Sequence, residues 1–129
     1  MKQLSSALLC IGCIPIKDGK ICLITTSHTK KWGIPKGGMK RGESESDTAT
    51  RETFEECGCI GSSPEYLTKL GVRKATGDAV LLKVYTMNVS SQDLVFPEHK
   101  ERKMRWSTLE EAKRLCPQYI PIFSLLELP

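Results

Sequence analysis

Apolar residues run almost unbroken from Leu8 to Ile16 and resume at Ile21-Cys22-Leu23-Ile24 after the polar pair Asp18-Gly19. A run of that length bounded by an Asp-Gly dipeptide predicts two buried strands joined as a hairpin. From Ser27 to Gly42 the pattern breaks, because Gly33, Pro35, Gly37, Gly38 and Gly42 interrupt any regular period, and a loop is expected. Ser44 to Cys57 regains helix-compatible spacing and stops at Gly58, a residue suited to the left-handed turn that ends helices. Two more strands are expected at Glu65 to Arg73 and Ala79 to Val89, joined across Thr76-Gly77-Asp78. Ser107 and Glu110 read as a capping box for a helix in which Leu109, Ala112 and Leu115 recur at helical spacing until Pro117. The apolar stretch Tyr119 to Leu128, interrupted by Pro121, predicts a short helix packed on the sheet. The order strands, helix, strands, helix predicts an α/β fold, a mixed sheet covered by helices.

Composition narrows this without redirecting it. The 129 residues have room for one domain, spanning 1–129, and 40% hydrophobic with 26% charged residues is the balance of a globular chain. The longest apolar run is roughly half what a membrane-spanning helix needs. Pro15 and Asp18-Gly19 follow it at once, which favours a strand over a secretion signal. The six cysteines lie mostly within apolar runs, and Cys10-x-x-Cys13 has no second pair at zinc-finger spacing. Buried reduced thiols in a cytoplasmic protein are expected. A net charge of +4 argues against a broad nucleic-acid-binding surface.

The placement of charge says more than its sum. Lys30, Lys31, Lys36, Lys40 and Arg41 occupy a stretch free of acids, and Glu43, Glu45, Asp47, Glu52, Glu55 and Glu56 follow against the single Arg51. Lys100, Arg102, Lys103 and Arg105 form a second basic segment. Carboxylates bracketed by cations suit a metal-bound polyphosphate, with acids holding a hard cation and Lys and Arg neutralising the remaining phosphate charge. At about 100° per residue, Ala49, Glu52, Thr53 and Glu56 share one helix face, and Thr50, Phe54 and Cys57 lie on another that can pack inward. Glu52 and Glu56 are one turn apart and can converge on one Mg²⁺ or Mn²⁺. Glu55, at the edge of that face, is placed to hold a second ion or take a proton from water. A solvated acidic face is the alternative reading of the helix alone.

The loop before the helix decides between them. Gly37, five residues, Glu43, seven residues, then Arg51-Glu52-Thr53-Phe54-Glu55-Glu56-Cys57-Gly58-Cys59 resembles the Nudix box, Gly-x5-Glu-x7-Arg-Glu-U-x-Glu-Glu-x-Gly-U with U aliphatic, over residues 37–59. All the Gly, Glu and Arg positions match, an agreement that chance gives at one starting point on the order of once in 10⁸. Thr53 and Cys59 depart from the aliphatic positions and should affect packing more than catalysis. The resemblance implies a Nudix-type α/β/α sandwich with a catalytic loop-helix-loop. It implies Glu52, Glu55 and Glu56 as metal-site residues, Arg51 orienting the helix carboxylates, Glu43 bracing the loop, and the backbone carbonyl of Lys36 completing the site. The implied reaction is attack of water on a diphosphate phosphorus with Mg²⁺ or Mn²⁺, and Glu55 or Glu98 as proton acceptor.

Trp32-Gly33-Ile34-Pro35-Lys36-Gly37-Gly38, together with Phe96-Pro97-Glu98 through Arg102-x-x-x-Trp106, resembles the diphosphoinositol polyphosphate and diadenosine polyphosphate phosphohydrolase branch. That branch implies a small, crowded polyphosphate substrate with Arg102 at a phosphate. Lys36, His28, Lys103 and Arg105 are further candidate contacts, and Trp32 or Trp106 is a candidate stacking platform. A nucleoside triphosphate or ADP-sugar pyrophosphatase and a non-catalytic nucleotide-binding module remain alternatives; silent members usually lose a box glutamate, and here all three are present. The expected assembly is a monomer or homodimer away from membranes.

Overall fold

The computed structural model of the protein describes residues 8–26, 28–74 and 76–128. Met1 to Ala7, where a secretion signal would begin, lie outside the described residues. Strands β1 (Leu8–Lys17) and β2 (Lys20–Thr25) form the expected hairpin, with Ile16 opposite Ile21. Its turn places Asp18 at φ 52° and Gly19 at φ 73°, the left-handed pair that matches the twist of the flanking strands. The expected loop carries two short strands, β3 (Trp32–Gly33) on β2 and β4 (Lys36–Gly37) on β1. Glycines hid them from the pattern, yet they stitch the loop to the sheet.

Helix α1 (Glu45–Cys57) follows the expected bounds. Ser44 caps it by accepting from the Asp47 N–H while Asp47 accepts from the Ser44 N–H, and Gly58 ends it at φ 71°. β5 (Cys59–Arg73) starts six residues earlier than the sequence suggested, and β6 (Ala79–Gln92) runs three residues further. Gly61, Ser63 and Pro64 look like breakers, but they are absorbed by register shifts on either side of Ser62, with Ser63 at φ 53°. β7 (Met104–Ser107) pairs with β2, and α2 (Leu109–Leu115) follows. Its capping box lies one residue later than expected: Thr108 and Glu111 exchange the two bonds at 3.1 and 2.8 Å, and Ser107 is the last, buried residue of β7. A 3₁₀ turn (Pro117–Tyr119) leads into the short α3 (Ile120–Phe123).

The strands form one sheet in the order β3-β2-β1-β6-β5, with β4 added to β1 and β7 to β2. Among the described residues only β1 and β6 pair in parallel. This is the α/β/α sandwich. Ile14, Ile21, Leu23, Leu82 and Val84 pack against Ala112, Ile122 and Phe123 on the α2–α3 face, whereas Ile11, Cys13 and Met87 pack against Ala49 of α1. Two covered faces explain why β1 reads as a continuous apolar run instead of an alternation. All six cysteines are free thiols, five of them buried, and burial pushes the Cys13 thiol up to about 12. Among the described residues no helix is long and apolar enough to cross a membrane.

Candidate active site

Acids at the C-terminal end of a helix oppose its dipole, by about 0.3–1 kcal/mol each near the surface. α1 nevertheless carries Glu55 and Glu56 in its last turn, which contains no basic residue of its own. Its carboxylates also turn inward. Glu52 is only 8% exposed and Glu56 only 4%, whereas Thr50 and Phe54, expected to point inward, are half-buried. Of that expected inward face only Cys57 is buried. The pocket for Glu52 is made by Gly37: a Cβ on residue 37 would run into the Glu52 carboxylate.

Oxygens of Glu52, Glu56 and Glu98 all lie within 4.8 Å of one another. Glu98 is brought there by the segment between β6 and β7, whose backbone docks on the helix end through a 3.0 Å bond from the Glu98 N–H to the Glu55 carbonyl. Arg102 spans the cluster. Its Nε donates to Glu98 at 2.8 Å, its Nη2 approaches Glu56 at 3.6 Å, and its Nη1 donates to the Thr25 carbonyl at 2.8 Å. The Lys36 backbone N–H donates to Glu56 at 3.3 Å. Burial, with the neighbouring Glu52 and Glu98 charges, raises Glu56 to about 8 despite Arg102. Burial likewise raises Glu52. Three carboxylate oxygens converging at the helix end, two of them on buried side chains whose charged form burial disfavours, fit a hard divalent cation better than they fit each other.

Arg51 ties the loop to the helix. It grips Glu43 bidentately, Nε at 2.6 Å and Nη2 at 3.0 Å, and donates to the Gly38 carbonyl at 3.0 Å. Its Nη1 lies 3.4 Å from Glu52 and 3.2 Å from Glu55. The Arg51 guanidinium, with the Lys40 N–H, lowers Glu43 to about 2. Glu55 is therefore turned to Arg51, outside the group formed by Glu52, Glu56 and Glu98.

Two cavities adjoin the cluster. One of about 540 Å³ has an apolar floor that includes the buried Val80, Leu82 and Tyr119, and is also lined by Lys36, Arg73 and Lys74. The other, of about 360 Å³, is lined by Trp32, Lys30, Lys100, Arg102 and Lys103. Lys36 lines the first cavity and Lys103 the second, where Arg102 also stands with its guanidinium held by Glu98, Glu56 and the Thr25 carbonyl. His28 is exposed in the turn after β2 and lines neither cavity. Arg105 pairs with Glu111 at 3.2 Å and lies over the Trp32 ring at 5.9 Å, which occupies its charge within the protein. Trp106 donates to Gln92 at 3.1 Å and packs beside the buried Cys22 and Cys57. Sequence reasoning missed Thr25, whose buried carbonyl and hydroxyl hold Arg102 and the Lys103 N–H, and missed Arg73 and Lys74. The long pairing of β6 with both β1 and β5 brings Arg73 and Lys74 to the cavity, and no local pattern announces such a register.

The chain is 32% identical over 115 residues to Nudix hydrolase 21, chloroplastic, of Arabidopsis thaliana, a match covering 82% of this chain and 58% of that protein. It is 24% identical over 107 residues to diphosphoinositol polyphosphate phosphohydrolase 3-beta of Bos taurus, covering 82% of this chain and 65% of that one. The chain thus spans about three fifths of the length of curated relatives it matches. A solved structure of a C. elegans Ap4A hydrolase, from a binary complex, superposes with a TM-score of 0.72 at 24% identity, covering 92% of each chain, and shares the fold. The family model for the NUDIX domain matches residues 8–126, nearly the whole described chain, and the protein belongs to the Nudix hydrolase family.

Proposed function

We propose that the protein hydrolyses a diphosphate linkage in a dinucleoside polyphosphate, with Glu52, Glu56 and Glu98 holding a divalent cation, Mg²⁺ or Mn²⁺. The observation that carries this reading is the convergence of those three carboxylates beside two cavities rimmed by cations. A divalent cation bound there offsets charge on the bridging phosphates and makes water a better nucleophile. Arg102 holds Glu56 and Glu98 in register, and Arg51 locks the loop to the helix through Glu43. Glu55, half-exposed at the edge of the cluster, takes the proton from the attacking water once released from Arg51. Lys36 and Lys103 meet the flanking phosphates.

The cavities bear on the substrate. A diphosphoinositol polyphosphate presents anionic phosphates around its whole ring and leaves the apolar floor of the larger cavity unmatched. A nucleobase with its phosphates directed at Lys36 matches both floor and rim. The smaller cavity offers Trp32 and its lysines to the second nucleoside arm. A panel of diadenosine polyphosphates, diphosphoinositols, ADP-ribose and nucleoside triphosphates, assayed with Mg²⁺ or Mn²⁺, tests the reading. The highest kcat/KM is expected for a diadenosine polyphosphate. A clear preference for diphosphoinositols would overturn the nucleotide assignment, and no turnover of any member would overturn the hydrolase reading for this chain.

A further inference from the structure

We propose that Cys22, Cys57 and Cys59 form a second metal site, for a soft thiophilic ion, specifically Cu(I), behind the last turn of α1. The three residues come from β2, the end of α1 and the start of β5, and their sulfurs all lie within 4.8 Å of one another. Metal–sulfur bonds of about 2.3 Å in a trigonal plane require sulfurs about 4 Å apart, so small side-chain adjustments suffice.

The surroundings choose the ion. Cys22 and Cys57 are fully buried and Cys59 is 1% exposed, so no solvent reaches the sulfurs. The cluster is walled by Ile24, Val89, Met104 and Trp106. Zn²⁺ asks for a fourth ligand such as water, imidazole or carboxylate, and among the described residues no fourth Cys, His, Asp or Glu joins this group, which has the Met104 thioether beside it. Cu(I) is satisfied by two or three soft sulfurs. Gln92 supplies an independent sign. The Trp106 indole N–H, which can only donate, bonds the Gln92 Oε1 at 3.1 Å and thereby turns the Gln92 NH₂ group toward the sulfurs. That nitrogen faces Cys59 Sγ at 3.6 Å, Met104 Sδ at 2.6 Å and the Cys57 carbonyl at 3.0 Å, and shares its two hydrogens among these three acceptors. An N–H aimed at a sulfur is what supports a thiolate ligand from outside the coordination sphere. Thiol protons leave to solvent as the metal binds, and the Cys57 bond to the Thr53 carbonyl at 3.0 Å is given up. The soft site would then pin β2, α1 and β5 together one residue beyond Glu56, without competing for the hard carboxylate site.

Anaerobic titration of the reduced wild-type protein with Cu(I), against the chromophoric chelator bicinchoninate, reads the affinity directly. Withdrawal of one equivalent is expected, with X-ray absorption reporting sulfur neighbours only. Cys59→Ser should weaken binding at least 100-fold, Gln92→Leu about tenfold, and Cys116→Ser, on the opposite face of the sheet, not at all. Should a serine variant fail to fold, the wild-type absorption spectrum decides alone. Failure to take Cu(I) from the chelator, nitrogen or oxygen ligation in that spectrum, or equal loss with Cys116→Ser would overturn the proposal. So would displacement of Cu(I) by equimolar Zn²⁺. None of these outcomes touches the hydrolase reading, which rests on oxygen ligands.

Discussion

The two faces of the sheet bury different kinds of interior. On the α2–α3 side, Ile14, Ile21, Leu23, Leu82, Val84 and Phe123 belong to one dry apolar core. On the α1 side the apolar residues split into two smaller clusters, around Met87 and around Val89, and Glu52 and Glu56 are buried as well. Each large side chain in the first core stabilises the fold by about 1.5–3 kcal/mol. Each ionised carboxylate taken from water on the other side costs several kcal/mol before it finds a partner. The fold can carry that cost because α1 is fixed by devices that do not involve its inward face. These are the Ser44–Asp47 capping box, the Gly58 cap and the Arg51–Glu43 clamp. One face supplies stability so that the other can hold charges that destabilise it.

That division predicts opposite mutational signatures. Glu56→Gln removes a charge from the α1 side while keeping its shape, and should lower kcat/KM at least 1000-fold, about 4 kcal/mol in transition-state stabilisation. Its thermal midpoint without divalent ions should equal or exceed that of the wild type, because an isosteric neutral group replaces one whose burial disfavours its charge. Unchanged metal-dependent turnover would show that Glu56 holds no metal. Phe123→Ala, on the other side, should cost about 3–5 kcal/mol in denaturant titrations through the cavity it leaves. Its folded fraction should retain kcat within about twofold. A variant that lost stability and kcat in proportion would erase the distinction between the faces.

Gly37→Ala tests the seam between loop and helix. The added methyl has no room beside the Glu52 carboxylate, so either β4 or the carboxylate must move. A displacement of that size should lower kcat/KM about 100-fold, with a smaller change in melting temperature than Phe123→Ala. Equal activity in this variant would mean that Glu52 is free to reorient.

How much of this was legible in the sequence depended on whether the signal was local. Asp18-Gly19 and the interval from Ser44 to Gly58 carry their own backbone instructions, and the hairpin and α1 appear where they were expected. The box spacing marked Glu52 and Glu56, but periodicity assigned the wrong face to the interior. That rule assumes acids seek water, and at Glu52 and Glu56 the fold does the opposite. The loop motif marked Glu98 and Arg102, while the sequence did not show that Arg102 would be gripped by Glu98 and the Thr25 carbonyl. Arg73 and Lys74 were not among the candidate contacts, because the parallel pairing of β1 with β6 that brings them to the cavity is a property of the folded sheet.

The mildest test uses protons to compare the same two faces. With its carboxyl raised to about 8, Glu56 keeps its proton at neutral pH until a cation displaces it. Divalent-ion affinity, measured by calorimetry, should therefore rise by up to tenfold per pH unit below about 8 and level off above. Metal-free stability should move the other way. A carboxyl whose folded value exceeds its unfolded one stabilises the protein fully below the unfolded value near 4.5, and that contribution is lost as pH rises through 8. Glu43 has the reverse sign, its contribution being present above 4.5 and lost as pH falls toward 2. Saturating Mg²⁺ should flatten the alkaline loss, and Glu56→Gln should reduce it to the part left by Glu52, whereas Phe123→Ala should shift the whole stability curve down without changing its slope. A metal affinity indifferent to pH between 6 and 8 would show that no buried proton is exchanged for the cation.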